Sequence, residues 1–177
     1  MKLLISLTIG AVMALSATAQ AATAGSEPTA IGLWEQVDEK SGQPESWFNI
    51  VEKDGVYVGT IVKMFQKPGD PPPESFRCSK CEGADKDQPV LGLTLIKGMK
   101  RKGVKYEDGT IMDPRDGNVY RALMEVSPDN KRLEVRGYLG VALFGRSQTW
   151  NRLPDDAMAP LKPALVAPVA PPKGAKK

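Results

Sequence analysis

The sequence predicts an all-β protein, a single up-and-down antiparallel β-barrel of about eight strands. Short runs rich in β-branched and aromatic residues recur between positions 31 and 152. Turn-forming pairs such as Asp54-Gly55 separate these runs, and no long stretch shows a helical period. Short strands with turn signals between them are typical of a sandwich or a barrel, and about eight strands are enough to close a barrel.

Each strand is predicted from an apolar run that ends at a turn signal. Asp54-Gly55 is the two-residue connection expected of a hairpin, and Ser127-Pro128-Asp129-Asn130 predicts a second turn. Asp108-Gly109 is expected to break one strand in two. Residues 66–89 are rich in proline, glycine and charge and predict a long loop. The predicted strands are 31–37, 46–53, 56–65, 90–97, 104–107 with 110–112, 119–126, 132–139 and 146–152.

The two ends of the chain differ from the domain between them. Lys2 precedes an apolar run from Leu3 to Leu15, and Ala17-Thr18-Ala19 and Ala19-Gln20-Ala21 both match an A-x-A cleavage pattern. This layout is typical of a secretory signal peptide, and the run is too short to span a membrane. The alternative is an N-terminal core helix. We expect a signal peptide at 1–21, a flexible lead at 22–28, one domain at 29–153 and a disordered Pro/Ala/Lys-rich tail at 154–177. The protein is then periplasmic or secreted.

Composition limits the chemistry that the chain can perform. It contains no histidine, which excludes a Ser-His-Asp or Cys-His nucleophile. A structural zinc site usually needs four Cys or His ligands, and the chain has two cysteines. Residues 29–153 hold 19 Lys and Arg against 18 Asp and Glu, a net charge of +1, which does not argue for a nucleic-acid partner. We expect no enzyme activity, no metal and no cofactor.

The two cysteines, Cys78 and Cys81, lie in the predicted long loop. An oxidising compartment favours a local disulfide between them. An exposed redox-active thiol pair and half of a metal site are the alternatives. A thioredoxin-like C-x-x-C begins a helix in a βαβ setting, whereas this pair follows Pro71-Pro72-Pro73 and precedes Gly83.

Five stretches together resemble the uncharacterised bacterial family known as domain of unknown function 2147. Their order and spacing span the domain from about 31 to 153. The stretches are Gly32-Leu33-Trp34; Asp54-Gly55 with Gly59-Thr60-Ile61-Val62; Cys78 and Cys81 with Pro89-Val90-Leu91-Gly92; Tyr106 with Gly109-Thr110-Ile111-Met112-Asp113-Pro114 and Gly117-Asn118-Val119-Tyr120; and Val135-Arg136-Gly137-Tyr138-Leu139-Gly140 with Gly145-Arg146-Ser147-Gln148-Thr149-Trp150.

The resemblance implies an exported protein with a lipocalin-like barrel and no established activity. The Gly32-x-Trp34 pattern is similar to the first strand of lipocalins, in which the indole closes one end of the barrel under a basic side chain of the last strand. Arg152 is the expected basic residue here. An Arg guanidinium stacks well on a Trp face.

A ligand site is expected near the last strands, where the resembling motifs concentrate. The ligand-binding candidates are Tyr120, Arg136, Tyr138, Gln148 and Trp150. The orientation of strand 132–139 stays open. Simple alternation puts Leu133 and Val135 inside the barrel, whereas the motif favours an inward Arg136 paired with Glu134.

Two functions follow from these features. The first is an exported binding protein for a small lipophilic or amphipathic, possibly anionic, ligand. The alternative is a non-enzymatic envelope interaction protein with a filled barrel. A basic cluster predicts either a solvated hairpin tip or weak contact with an envelope surface, to which the basic tail could add. The cluster comprises Lys97, Lys100, Arg101, Lys102 and Lys105.

Overall fold

Eight antiparallel strands close into one barrel, in which each strand pairs with its neighbours in sequence and β1 also pairs with β8. The computed structural model describes residues 27–159, so the predicted signal peptide and most of the predicted tail lie outside the described residues. The strands are β1 Gly32–Val37, β2 Pro44–Lys53, β3 Val56–Met64, β4 Thr94–Lys102, β5 Lys105–Met112, β6 Val119–Val126, β7 Arg132–Tyr138 and β8 Arg146–Arg152. The predicted up-and-down barrel is confirmed.

β6 and β8 match their predicted bounds, four strands differ from them by one or two residues at one end, and two strands differ more. The fourth strand begins at Thr94 and continues to Lys102, because the residues expected at a hairpin tip belong to the strand itself. The fifth strand is continuous across Asp108-Gly109, where the register with β6 shifts between Tyr106 and Gly109. Asp108 takes a positive φ of 64°, so the turn signal in the sequence corresponds to a bulge rather than to a strand break.

The barrel interior is filled by large apolar side chains over much of its length. Phe48 and Trp150 stack across the lumen with ring centroids 4.4 Å apart, and Tyr57 meets Tyr106 edge to face at 4.8 Å. Aliphatic and methionine side chains surround these rings. The interior set includes Ile50, Ile96, Met99, Met124, Val126, Leu133 and Val135, which are all at most 3% exposed.

The chain before β1 crosses one end of the barrel, which we call the closed end. Ala30 is fully buried, and its amide donates to the Tyr106 hydroxyl at 2.9 Å. Its carbonyl accepts a 2.7 Å hydrogen bond from the Trp34 indole. Arg101 donates to the Pro28 carbonyl at 2.9 Å. Residues 27–31 are therefore an ordered strap, although part of this segment was expected to be a flexible lead.

Loops at the opposite, open end include the long connection between β3 and β4. Cys78 and Cys81 are joined by a disulfide there and are at most 1% exposed. The turn after β5 packs against them. A Cβ on Gly117 would lie 2.1 Å from the Lys80 carbonyl oxygen, and φ at Gly117 is 77°, so this contact requires glycine. The predicted local disulfide is confirmed.

Helical structure within residues 27–159 is limited to four short 3-10 turns, of which the last, Asp155–Met158, follows β8. None of the helices in this part of the chain is long and apolar enough to cross a membrane.

Candidate functional site

The closed end carries the residues predicted to seal the barrel. The Arg152 guanidinium lies 4.1 Å above the centre of the Trp34 ring, and Trp34 is fully buried. Arg152 also donates to the carbonyl oxygens of Ile31 at 2.9 Å, of Asn130 at 2.6 Å and of Thr29. Burial lowers the pKa of Arg152. Its donors are satisfied by the strap and by the turn after β6, so the group is structural.

Gly32 completes this seal. Its φ is 127°, and a Cβ there would lie 2.6 Å from Arg152 Nη1. A side chain would therefore occupy the position of the guanidinium and would require a strained backbone. Gly32, Trp34 and Arg152 thus pack against one another at the closed end.

The side chains on the inner face of β8 become more polar and more exposed toward the open end. Leu133 pairs with Trp150 and Val135 with Gln148, so Trp150 and Gln148 share the inner face with the two buried β7 residues. Trp150 is 1% exposed, whereas Gln148, one strand repeat closer to the open end, is half-buried. On β8 the fully buried inner face therefore ends at Trp150, while Val135 on β7 and Ala122 on β6 stay buried beyond it.

A chain of polar side chains lies on the open side of Trp150. The Ser46 hydroxyl donates to Gln36 Oε1 at 2.5 Å, and Gln36 Nε2 donates to Gln148 Oε1 at 2.8 Å. The Trp150 indole donates to the same Gln148 oxygen at 3.4 Å. This relay joins β1, β2 and β8 across the inner face. Gln36 and Ser46 were not among the sequence candidates. Each lies two positions from a buried apolar residue of its own strand and therefore shares that residue's inner face. This spacing is the signal that would have found them.

Tyr120 stands on the opposite wall of the same end. A Cβ on Gly137 would lie 3.3 Å from Ile111 Cγ2 and 3.5 Å from Tyr120 Cβ, so these three residues share the inner face. Gly137 therefore allows close packing of neighbouring side chains. We call the half-exposed inner-face set the mouth; it comprises Gln36, Met64, Ile111, Tyr120, Gly137 and Gln148.

Two donor groups in the mouth have no protein partner among residues 27–159. The Gln148 Nε2 group makes no hydrogen bond in this part of the chain, and neither does the Tyr120 hydroxyl. No side-chain nitrogen or oxygen in the described residues is both fully buried and unpartnered. Both groups are therefore accessible to solvent or to a bound molecule.

Arg136 and Tyr138 lie on the outer face of β7, so the five predicted ligand residues do not line one surface. The Arg136 guanidinium donates to Ala142 O at 2.7 Å, to Leu143 O at 3.1 Å and to Ser147 Oγ at 2.8 Å. This corrects the expected pairing with Glu134. The inward positions of Leu133 and Val135 settle the strand orientation in favour of simple alternation.

The basic cluster on β4 and β5 is neutralised by acidic neighbours. Each of its five members forms an ion pair with a carboxylate, at 2.5 Å for Lys97 with Asp85 and 3.2 Å for Arg101 with Glu27. The remaining pairs are Lys100 with Asp108, Lys102 with Glu107, and Lys105 with Glu125. The cluster is thus a mixed-charge surface rather than an unbalanced positive patch.

Two shallow depressions, of about 300 and 240 Å³, lie on the wall of the barrel. Residues of β5, β6 and β7 line them, with Glu125 and Glu134 in both. No group of three or more Cys, Asp or Glu side chains within residues 27–159 is arranged to hold a metal ion.

The closed eight-stranded up-and-down antiparallel barrel is a lipocalin-like fold. The chain belongs to the family described as uncharacterised proteins conserved in bacteria, domain of unknown function 2147, whose model matches residues 32–152. Its fold is also similar to that of protein HP1028 from Helicobacter pylori, which is described as belonging to the lipocalin family. That similarity has a TM-score of 0.61 at 17% identity and covers 75% of this chain and 88% of the other. No curated protein matches the sequence.

Proposed function

We propose that the protein is an exported, non-enzymatic β-barrel that binds a small amphipathic ligand at its open mouth. One observation carries the proposal. On β8 the inner face passes from fully buried Trp150 to half-buried Gln148 within one strand repeat, and two hydrogen-bond donors near it, on Tyr120 and Gln148, have no protein partner among the described residues. Half-exposed apolar side chains beside a few convergent polar groups are typical of small-molecule sites.

The mouth suggests the chemistry of its ligand. Met64 and Ile111 pack against the core and offer apolar contact next to the Phe48 and Trp150 stack. The free donors of Tyr120 and Gln148 suit acceptor oxygens such as those of a carbonyl, an ester or a sugar. Arg136 faces outward, whereas Arg146 pairs with Gly137 and shares the β8 face of Gln148, so the guanidinium at this surface is that of Arg146. We therefore favour a lipophilic body with a polar, oxygen-bearing end.

Export is part of the proposal. The apolar run at 3–15 with its A-x-A patterns is typical of a signal peptide, and a disulfide is expected to persist in an oxidising compartment. A periplasmic or secreted location fits both features.

The second candidate function is an envelope interaction protein with a filled barrel. It is favoured by the large side chains that fill the lumen below the mouth. In that case the outer surface, rather than the mouth, would make the functional contact.

A fluorescence titration distinguishes the two functions. Wild-type protein is titrated with a fluorescent fatty-acid ester and with a fluorescent fatty acid, and we expect saturable binding of the ester. Gln148→Leu should weaken it about five- to tenfold, because one hydrogen bond contributes on the order of 1 kcal/mol. Tyr120→Phe should weaken it by a similar factor.

Tyr138→Phe is the matched control, since Tyr138 lies on the outer face of β7 and should leave affinity unchanged. Arg136→Ala changes a residue outside the mouth, so the affinity for the ester should stay unchanged if only the mouth binds it. Absence of saturable binding for both probes would reject the ligand-binding function and leave the interaction function.

A further inference from the structure

The connection between β7 and β8 exposes a cluster of apolar side chains. Leu139 is 66% exposed, Val141 58%, Leu143 80% and Phe144 81%. Val119, which begins the adjacent strand β6, is a further 55% exposed. We call these five residues the apolar tip. Single exposed apolar residues are ordinary, but a contiguous group of this kind marks a contact surface.

The tip is held in its exposed position by the fold. The Arg136 guanidinium binds the carbonyl oxygens of Ala142 and Leu143, which are the backbone of the turn that carries the apolar side chains. Gly145 then lies so close to β7 that a Cβ there would be 2.7 Å from the Gly137 carbonyl oxygen. The turn is tied to the outer face of β7, and Leu143 and Phe144 are kept away from the core.

Two cations flank the tip. Arg146 begins β8 directly after the turn, and Arg121 on β6 pairs with Tyr138 at the end of β7. Within residues 27–159, neither Arg146 nor the exposed Arg121 on β6 takes part in an ion pair. This contrasts with the β4 and β5 cluster, in which every cation has a carboxylate partner.

We propose that the apolar tip docks this protein onto an anionic phospholipid surface, with Leu143 and Phe144 inserted among the acyl chains and Arg121 and Arg146 at the level of the head groups. Apolar side chains on a preformed projection, flanked by cations, suit a membrane interface, where insertion and charge attraction act together. The proposal does not depend on ligand binding in the mouth.

The surface of the protein itself argues against a second copy as the occupant. A self-complementary contact would need an apolar recess to receive Leu143 and Phe144. The two depressions on the barrel wall mix apolar and charged side chains, and both contain the carboxylates of Glu125 and Glu134, which an inserted Leu143 or Phe144 would desolvate. A lipid surface needs no preformed recess.

The position of the tip has a consequence for the mouth. The β7–β8 connection belongs to the open end, as do the loops that follow β3 and β5. Docking through the tip therefore brings the open end of the barrel, rather than the Trp34 and Arg152 seal, next to the lipid.

The test is co-sedimentation of the protein with phospholipid vesicles. The protein is purified from its host cell in its naturally processed form. The vesicles are of phosphatidylcholine alone or of phosphatidylcholine with phosphatidylglycerol. Wild type should bind the anionic vesicles, and Leu143→Ser/Phe144→Ser should reduce the partition coefficient at least about tenfold. Arg121→Gln/Arg146→Gln should reduce binding to anionic vesicles and make it less sensitive to salt.

Ile31→Ser/Val51→Ser is the matched control, because it removes two exposed apolar side chains far from the tip. Circular dichroism verifies that each variant is folded. The proposal is overturned if wild type does not bind vesicles, or if the tip and control variants bind equally well. It is also overturned if sedimentation shows a wild-type dimer that Leu143→Ser/Phe144→Ser converts to a monomer.

Discussion

At the scale of single residues, Arg152 makes the densest set of contacts at the closed end. It covers the Trp34 ring and donates to three backbone carbonyls and to Asn130 Oδ1, the last at 2.8 Å. Those acceptors come from the strap before β1 and from the turn after β6, so a single side chain connects the start of the domain to its middle.

Replacing Arg152 with Ala should destabilise the protein by about 1–3 kcal/mol, because the change removes the packing over Trp34 and the donors of partly buried carbonyl groups. Urea unfolding gives the free energy of unfolding. Arg132→Ala is the control, since Arg132 is exposed on β7, and it should change stability by less than about 0.5 kcal/mol. Equal midpoints for the two variants would show that the seal is not structural.

Asp38, in the turn after β1, makes a contribution to folding stability that depends on pH. Hydrogen bonds from Ser41, first from its backbone amide and then from its hydroxyl, lower the pKa of Asp38 to about 2. A lowered carboxyl pKa stabilises the folded state above the unfolded value of 3.8, and the contribution is lost as the pH falls toward 2.

The carboxyl carbon shift of Asp38, followed by NMR, should report this titration. The stability difference between wild type and Asp38→Asn should shrink as the pH falls from about 5 to about 2. An Asp38 pKa near 3.8 would contradict the expected hydrogen bonding of the turn.

At the scale of elements, the disulfide loop packs on the turn after β5 and contributes both cysteines to the main core. Cys81 Sγ lies 3.3 Å from Met112 Sδ, and Cys78 Sγ lies 3.6 Å from the Pro114 carbonyl oxygen. Both sulfurs are buried, which protects the bond from thiol reagents.

Cys78→Ser/Cys81→Ser should lower stability by about 2 kcal/mol and raise hydrogen exchange in residues 76–93, while the far-ultraviolet spectrum of the barrel is kept. Intact mass with and without reductant should differ by about 2 Da in the wild type, as one two-electron bond requires. Free thiols in freshly isolated protein would contradict the role given to this pair.

Most strands were predictable because their side chains alternate between a buried and an exposed face. β6 and β8 match their predicted bounds. β4 was shifted in the prediction because its exposed face carries Lys97 and Lys100, which resemble a loop until their carboxylate partners are known. Those partners lie on other elements, so local sequence could not reveal the pairing.

The candidate site was only partly predictable for a similar reason. Alternation places Gln148 and Trp150 on one face of β8, and the pairing of β8 with β7 confirms it. The role of Arg136 depends on a 3-10 turn, Ala142–Phe144, that folds back over β7. The position of this turn over β7 depends on three-dimensional contacts. The alternation of side chains along a strand does not encode such contacts.

At the scale of the whole molecule, the barrel has two different ends. The closed end is sealed by the strap and by Arg152, and the open end carries the mouth, the disulfide loop and the apolar tip. The proposed ligand site lies at the open end alone.

Truncation tests the strap. Removal of residues 1–26 should leave stability unchanged, because processing at Ala19 or Ala21 is expected to remove most of this segment. Removal of residues 1–31 should destabilise the barrel by several kcal/mol, since it deletes buried Ala30 and the acceptors of Arg152. Intact mass of the exported protein gives the natural start. Equal stability of the two truncated chains would contradict the stabilising role given to the strap at the closed end.

The central claim, a ligand site in the open mouth, is tested most directly by NMR titration with an amphipathic ester. The three tryptophans report on three places: Trp150 below the mouth, Trp34 at the closed end and Trp47 on the outer face near Lys63. We predict that the Trp150 indole and Gln148 side-chain amide signals shift with saturation, while those of Trp34 and Trp47 stay in place. Signals of Trp150 and Gln148 that do not move, or shifts confined to Trp47, would contradict the claim.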